Sequence, residues 1–376
     1  MGTWKAQSVL ARRRLPRCSR MVDRQLARSR LVAQRLVGER HPTPTAAVVA
    51  FGAMQGQDLP GALASAALRS TGRIDDVLAA LDAGLIVRGY PMRGTVFLTP
   101  AADLRWLSEL CGTAALRNAR MRRERNYDFT ADDIDRIYAA VRERAAGVGI
   151  SRAEYQEIMA EVGVEPSGGR SYHTLYTLIA ECRLCYGRWS GREQQIMLAD
   201  ELLGPGLAER FGGDEIAAVA ELASRYFLTH GPATLRDFVW WSKLPLTKAR
   251  RAVGLFSPDV AHLGEETFAR ASLPDELAAC AKEARSGLLL PGFDEFVLGY
   301  RDRLFAMDEH THTRLVPGNN GVFKKSVVVD GQVRGTWTRA GAAGRRRLEL
   351  EELATLPKSA GPGLRRRFEQ YPFVGE

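Results

Sequence analysis

The sequence predicts a mainly α chain with β, an α+β fold of three tandem winged-helix units followed by a C-terminal β-barrel or curled sheet. Three observations lead there. Helical runs closed by a short hairpin recur three times at spacings of about 85 residues, the period of a repeated supersecondary unit. Several helix starts carry capping chemistry, as in Ser151-Arg-Ala-Glu154, where hydroxyl and carboxylate satisfy backbone N–H groups left free by the first turn. From Gly287 onward the texture changes to short strands and turns, with Asp330-Gly331 as a two-residue hairpin turn between apolar residues.

Residues 1–21 are Arg-rich without periodicity and are expected to be disordered or to precede the true start at Met21. The first unit, 22–128, opens on an amphipathic helix carrying Leu26, Leu31, Leu36 and Val37 among arginines. His41-Pro-Thr-Pro44 breaks it, and Thr45 is placed to cap a second helix, Ala46 to Met54. Helices over 60–69 and 74–83 then lead to strands Leu85–Tyr90 and Thr95–Leu98 around a Pro-Met-Arg-Gly turn. The second unit, 129–212, has helices from Thr130, Ser151 and Ser171, then Leu184–Trp189 paired across Ser190-Gly191 with Gln194–Leu198. The third, 213–286, has a helix from Asp214 to His230, a Gly231-Pro232 stop, a helix from Thr234 through Trp241, and a basic helix from Lys248. In the last region, 287–376, strands give way to a terminal helix, Leu364 to Tyr371.

The net charge is +9 and the excess is almost all arginine, which suits either a phosphate partner or a genome that favours arginine codons. No apolar stretch approaches the ~20 residues that span a bilayer, and residues 1–40 lack the apolar core of a secretory signal. A cytoplasmic, nucleoid-associated protein without membrane contact is expected. Five scattered cysteines exclude a disulfide framework, and Cys182-Arg-Leu-Cys185 lacks the second pair that a structural zinc site needs. His310 and His312 read as an exposed pair on a hairpin or loop. No metal and no cofactor are expected.

Two residues stand out as chemistry, Gln55 and Gln57. Amides are poor acids and bases, but each carries acceptor and donor atoms, and two together can hold one water. Residues i and i+2 face the same way on extended backbone and about 200° apart on a helix, so this role requires both to lie beyond the helix end. Otherwise the glutamines bridge helices in a polar core. Arg88, Arg93 and Thr95 sit on the first wing, where an arginine at the turn suits a nucleic-acid groove as well as a solvated hairpin. Arg301 and Arg303 read as DNA contacts or as members of an ion network with Asp294 and Asp302. His310, His312, Lys324 and Lys325 flank turns that can touch a phosphate backbone. Trp240-Trp241 reads as core, inside the second helix of a helix-turn-helix.

Four segments carry a resemblance. Gly52–Ala62, Ile86–Thr95, Leu289–Asp294 with Tyr300–Arg303, and Gly335–Trp337, in this order, resemble the AlkZ-like (YcaQ-related) winged-helix DNA glycosylases over about residues 22–375. The resemblance implies three winged helices plus a β-barrel, and excision of bulky N7-alkylated purines, crosslinks included. It puts Gln55 and Gln57 on the two polar positions of a Gln-aliphatic-Gln catalytic motif, with Gly56 where relatives carry an aliphatic residue. The expected partner is alkylated double-stranded DNA, acted on by a monomer. The expected enzyme is monofunctional, because no lysine lies near the motif in sequence to form a Schiff base. A non-catalytic winged-helix DNA-binding protein, such as a transcription regulator, is the alternative.

Overall fold

A computed structural model of the chain describes residues 23–319, 321–342 and 344–375; the expectation for residues 1–21 lies outside them. The fold is mixed α and β, with helices gathered around three antiparallel sheets. The strands are β1 (Met54–Gln55), β2 (Ile86–Met92), β3 (Thr95–Pro100), β4 (Leu184–Trp189), β5 (Gln194–Leu198) and β6 (Ala233–Thr234). They continue as β7 (Val260–Gly264), β8 (Thr267–Arg270), β9 (Gly287–Leu290), β10 (Ser326–Val329), β11 (Gln332–Ala340) and β12 (Arg347–Glu352).

The helix entering the glutamine segment runs Pro44–Phe51, and Thr43, not Thr45, caps it by accepting from the Ala46 N–H. The reason is local. Pro44 has no N–H to lose at the first helical position and its ring presets the helical φ. Gly52, at φ 72°, then turns the chain out of the helix three residues earlier than the apolar pattern suggests.

The first two hairpins do not stand apart. They join into one five-stranded sheet, β1-β3-β2-β4-β5, linked across Arg88 and Tyr186. The β2–β3 turn is Arg93-Gly94 at φ 61° and 68°, the two-residue geometry that matches strand twist. A third hairpin, β7–β8, pairs with β6 and turns at Glu265-Glu266, both at positive φ. The C-terminal sheet, β12-β11-β10-β9, is open, with β12 and β9 as its edges, so it does not close into a barrel. His310 and His312 lie on the helix Glu309–Leu315, not on a hairpin, which turns their rings away from each other.

The largest apolar core crosses the sequence boundaries of the units. It takes Leu31 and Val32 from the first helix, Phe97 from β3, Trp106 from the helix Ala101–Cys111, Tyr226 and Phe227 from the helix Glu215–His230, and Trp241, Phe296 and Val328. Residues 129–212 instead build a core largely their own around Ile137, Tyr155, Leu178 and Ile196. The Cys182 and Cys185 thiols are buried and form no disulfide, and burial pushes both pKa values up.

Candidate functional site

Gln55 and Gln57 both lie beyond the end of the helix. Gln55 is on β1, opposite Phe97, and Gln57 is in the bend before the helix Leu59–Leu68. Gln55 is 5% exposed whereas Gln57 is open to solvent. The Gln55 side-chain Oε1 accepts from the Gly56 N–H at 2.9 Å, and the same N–H donates to the Val96 carbonyl at 2.8 Å. Gly56 is pressed against the neighbouring strand. A Cβ there would sit 3.0 Å from Leu98 N and the Phe97 carbonyl carbon, both main chain. Glycine at this position lets the two backbones approach.

Glu295 holds the motif from below. It is 2% exposed, and its Oε1 accepts from the Gln55 N–H at 2.7 Å. Its Oε2 faces the Trp241 indole N–H at 3.3 Å and His230 Nε2 at 3.4 Å. Burial lowers the pKa of His230, against the pull of Glu295, and the ring stacks on Tyr226 at 4.5 Å. The adjacent Asp294 is in a second buried network. Its carboxylate takes two hydrogen bonds from Arg69, at 2.9 and 2.8 Å, and one from Ser65 at 2.7 Å. Burial opposes its ionisation, but Arg69, the Phe296 N–H and Ser65 together outweigh burial and hold the pKa down. Neither acid was singled out for the glutamines by sequence, because both lie some 240 residues away.

Within electrostatic reach of Glu295, Arg93 belongs to a group of three cations around one indole. Arg93 lies 4.5 Å from the Trp240 ring centroid, Arg303 5.2 Å and Lys243 5.4 Å. None of the three makes an ion pair among the described residues. Burial lowers the pKa of Arg93, and nearby Glu295 opposes the shift. Arg303 falls to about 10 through burial and its proximity to Arg93, and Lys243 is lowered by the same two causes. The Arg303 guanidinium also lies 4.9 Å from the Phe323 ring, which packs on Phe293. Arg93, Lys243 and Phe293 all hold positive φ, an uncommon backbone state for residues with side chains that gathers here at one place. Cations gathered on one indole with no ion-pair partner among the described residues favour an anionic partner.

The residues expected to touch DNA divide. Arg93 and Arg303 meet at Trp240, and Arg301, Arg303 and His312 line one shallow hollow of about 460 Å³. Burial followed by Arg303 lowers the pKa of His312. Arg88 is not on the surface. It is 7% exposed, donates to Gln194 Oε1 at 2.7 Å and faces the Tyr186 ring, so it is a cross-strand tie between the two hairpins, out of reach of a phosphate. Thr95 closes the β2–β3 turn, with its hydroxyl buried and unpartnered. Lys324 pairs with Glu351 at 3.4 Å, Lys325 lies 4.9 Å from the Trp337 ring, and His310 is exposed. Trp241 is core, as its position predicts, but Trp240, 100° further round the helix, is half-exposed and carries the cations.

Among the described residues no group of three or more histidine, cysteine or acidic side chains is placed to hold a metal ion. No described helix is long and apolar enough to cross a membrane. A model of the family "DNA glycosylase AlkZ-like" matches residues 48–372. The fold is similar to that of Streptomyces sahachiroi DNA glycosylase AlkZ, with a TM-score of 0.66 at 21% identity, over 93% of this chain and 97% of that one. No curated protein matches.

Proposed function

We propose, from a chain that belongs to the AlkZ-like DNA glycosylase family, a specific reaction for this DNA glycosylase: hydrolysis of the N-glycosidic bond of bulky N7-alkylated purines in duplex DNA, interstrand crosslinks among them. The observation that carries the proposal is the junction of an amide pair with an unpaired cationic surface. Gln55 is tied through Glu295 to the neighbourhood of Arg93, and Arg93 opens onto Trp240, Arg303 and Lys243. We read the three helix-and-hairpin blocks as winged helices that present this junction to DNA, in a monomer with boundaries near 129, 213 and 287.

Alkylation at N7 makes the purine cationic. When the C1′–N9 bond breaks, its electron pair neutralises the ring and the base leaves without a general acid. The protein then has to place a water at C1′ and to tolerate an oxocarbenium-like sugar, work done by position and fixed dipoles. The exposed Gln57 and the anchored Gln55 amides are the groups that would hold the water, whose proton passes to solvent. The cations neutralise flanking phosphates and draw the duplex in, and an open surface accepts an adduct too large for a closed pocket.

The test is abasic-site formation in a duplex carrying N7-alkylguanine, beside a Gln55→Ala/Gln57→Ala double variant. Release by the wild type and none by the variant is expected. No release above the spontaneous rate, across small and bulky adducts, would make the chain a non-catalytic DNA binder instead. Borohydride should trap no covalent DNA adduct. A trapped adduct lost in Lys243→Ala would overturn the monofunctional reading, since folding brings this lysine to the site from afar.

A further inference from the structure

The helix Thr113–Asn126 lacks the feature that normally keeps a helix on a protein. Of its 14 residues only Ala119 is buried, yet it carries Arg117, Arg120, Arg122, Arg123 and Arg125. A helix polar all round is held by charge pairs or by a partner. Charge pairs account for two arginines: Arg120 meets Glu181 at 2.9 Å, and Arg123 approaches Glu124 at 3.9 Å. Arg117, Arg122 and Arg125 make no ion pair among the described residues.

Beside this helix is a hollow of about 190 Å³, walled by Arg122 and Asn118, by Tyr172, His173 and Tyr176, and by Arg93 of the first wing turn. No carboxylate lines it. His173 is 4% exposed and its ring Nε2 has no hydrogen-bond partner. Tyr172 is 60% exposed. Typical organic-ligand pockets run from about 300 to 1,000 Å³, so this hollow is undersized for a flipped base with an adduct but large enough for a single anionic group. Arg93 is shared: one end of it faces Trp240 and the turn that carries it forms a wall of the hollow.

We infer that this hollow binds a backbone phosphate of the duplex flanking the lesion, and that the arginine helix is a second, sequence-independent DNA-tracking surface continuous with the Trp240 cluster. The inference rests on the DNA reading above. The helix is about 21 Å long at 1.5 Å per residue, the span of roughly six phosphates of one strand. Burial, and then Arg122 and Arg123, hold the His173 pKa down, which a bound anion would reverse while giving Nε2 an acceptor.

The experiment is the salt dependence of binding to an undamaged duplex by full-length wild type, Arg122→Ala, Arg122→Lys and Arg144→Ala. Arg144 is paired with Glu161 on another helix and is the charge control. Each phosphate contact contributes about 0.9 to the slope of log K against log salt. Loss of one contact should therefore narrow the affinity gap between wild type and Arg122→Ala by about 3.5-fold between 50 and 200 mM salt. Arg122→Lys should keep the slope and Arg144→Ala should match wild type. Equal slopes for wild type and Arg122→Ala would overturn the inference, as would an equal loss in Arg144→Ala. Excision with an unchanged slope sinks this surface alone, whereas a reduced slope without excision of any lesion sinks the glycosylase chemistry alone.

Discussion

Glu295 is the residue on which the placement of the glutamine motif depends. Successive N–H groups of a strand point to opposite sides. The Gly56 N–H pairs with β3 at Val96, so the Gln55 N–H points away from the sheet, where the next strand would be. Among the described residues no strand lies there, since β1 is the edge of the five-stranded sheet. The Glu295 carboxylate takes its place. Glu295→Ala would leave the Gln55 N–H and the Trp241 indole N–H buried without acceptors, and His230 Nε2 without its neighbour. An orphaned buried donor costs about 1–3 kcal/mol, so two fully orphaned donors imply roughly 2–6 kcal/mol, less whatever water enters. At about 2 °C per kcal/mol for a large domain, the melting temperature should fall by roughly 4–12 °C.

Glu295→Gln separates anchoring from packing. Its amide oxygen can keep the Gln55 bond, but its NH2 would then face the Trp241 N–H. His230 can adapt by taking its proton on Nδ1, toward Thr229 Oγ1 at 2.9 Å. Glu295→Gln should therefore melt between wild type and Glu295→Ala and retain more excision activity per folded molecule. The assays are thermal melting by circular dichroism and single-turnover base excision. If Glu295→Ala melts within about 1 °C of wild type and excises at the wild-type rate, the carboxylate does not position the motif, and the edge-strand reasoning fails.

Two further outcomes follow from other residues. Gly56→Ala places its Cβ 3.0 Å from the main chain of β3, which can yield only by lengthening the Gly56–Val96 hydrogen bond. Overpacking of this kind costs about 1–3 kcal/mol, so both melting temperature and excision rate should drop; a more stable and equally active variant would show that the two strands can separate freely. Acid should destabilise the protein through its neutral histidines. Burial, followed by Arg35 and Arg270, lowers His41 to about 4, and burial lowers His230. With folded pKa values below the unfolded value of about 6.5, the unfolded chain binds more protons, so stability is full above that pH and declines toward about 4. Melts between pH 7.5 and 4.5 should show this decline, with a shallower slope in His41→Gln; pH-independent melting in the wild type would contradict it.

Local chemistry made much of the fold legible. The capping pairs at Thr130, Ser151 and Thr234 sit at helix starts, because a cap and its partner lie three residues apart in any context. The Ser190-Gly191 turn was equally local. The β7–β8 hairpin left no such mark, since Glu265-Glu266 takes a conformation usually marked by Gly or Asn. Joining of the first two hairpins was also hidden, because it depends on Arg88 finding Gln194 across the sheet. A buried arginine with an amide partner and an exposed one at a wing tip look alike in sequence. The same holds for Trp240 and Trp241, whose adjacency in the chain disguises opposite environments.

The site is legible in part for a deeper reason. A two-residue edge strand has too little pairing of its own to fix the geometry of the proposed amide pair. Its rigidity must be imported, and it comes from the helix Leu235–Ser242 through Trp241, from the helix Glu215–His230 through His230, and from the segment after β9 through Glu295. Two of these segments also bring together Trp240, Arg303 and Lys243, which follows the helix Leu235–Ser242. The groups that hold Gln55 and the groups that would hold DNA thus share one scaffold. A change that unseats Glu295 should therefore weaken DNA binding along with excision, whereas loss of Gln57, which is exposed and bears no such load, should leave binding intact and remove only the chemistry.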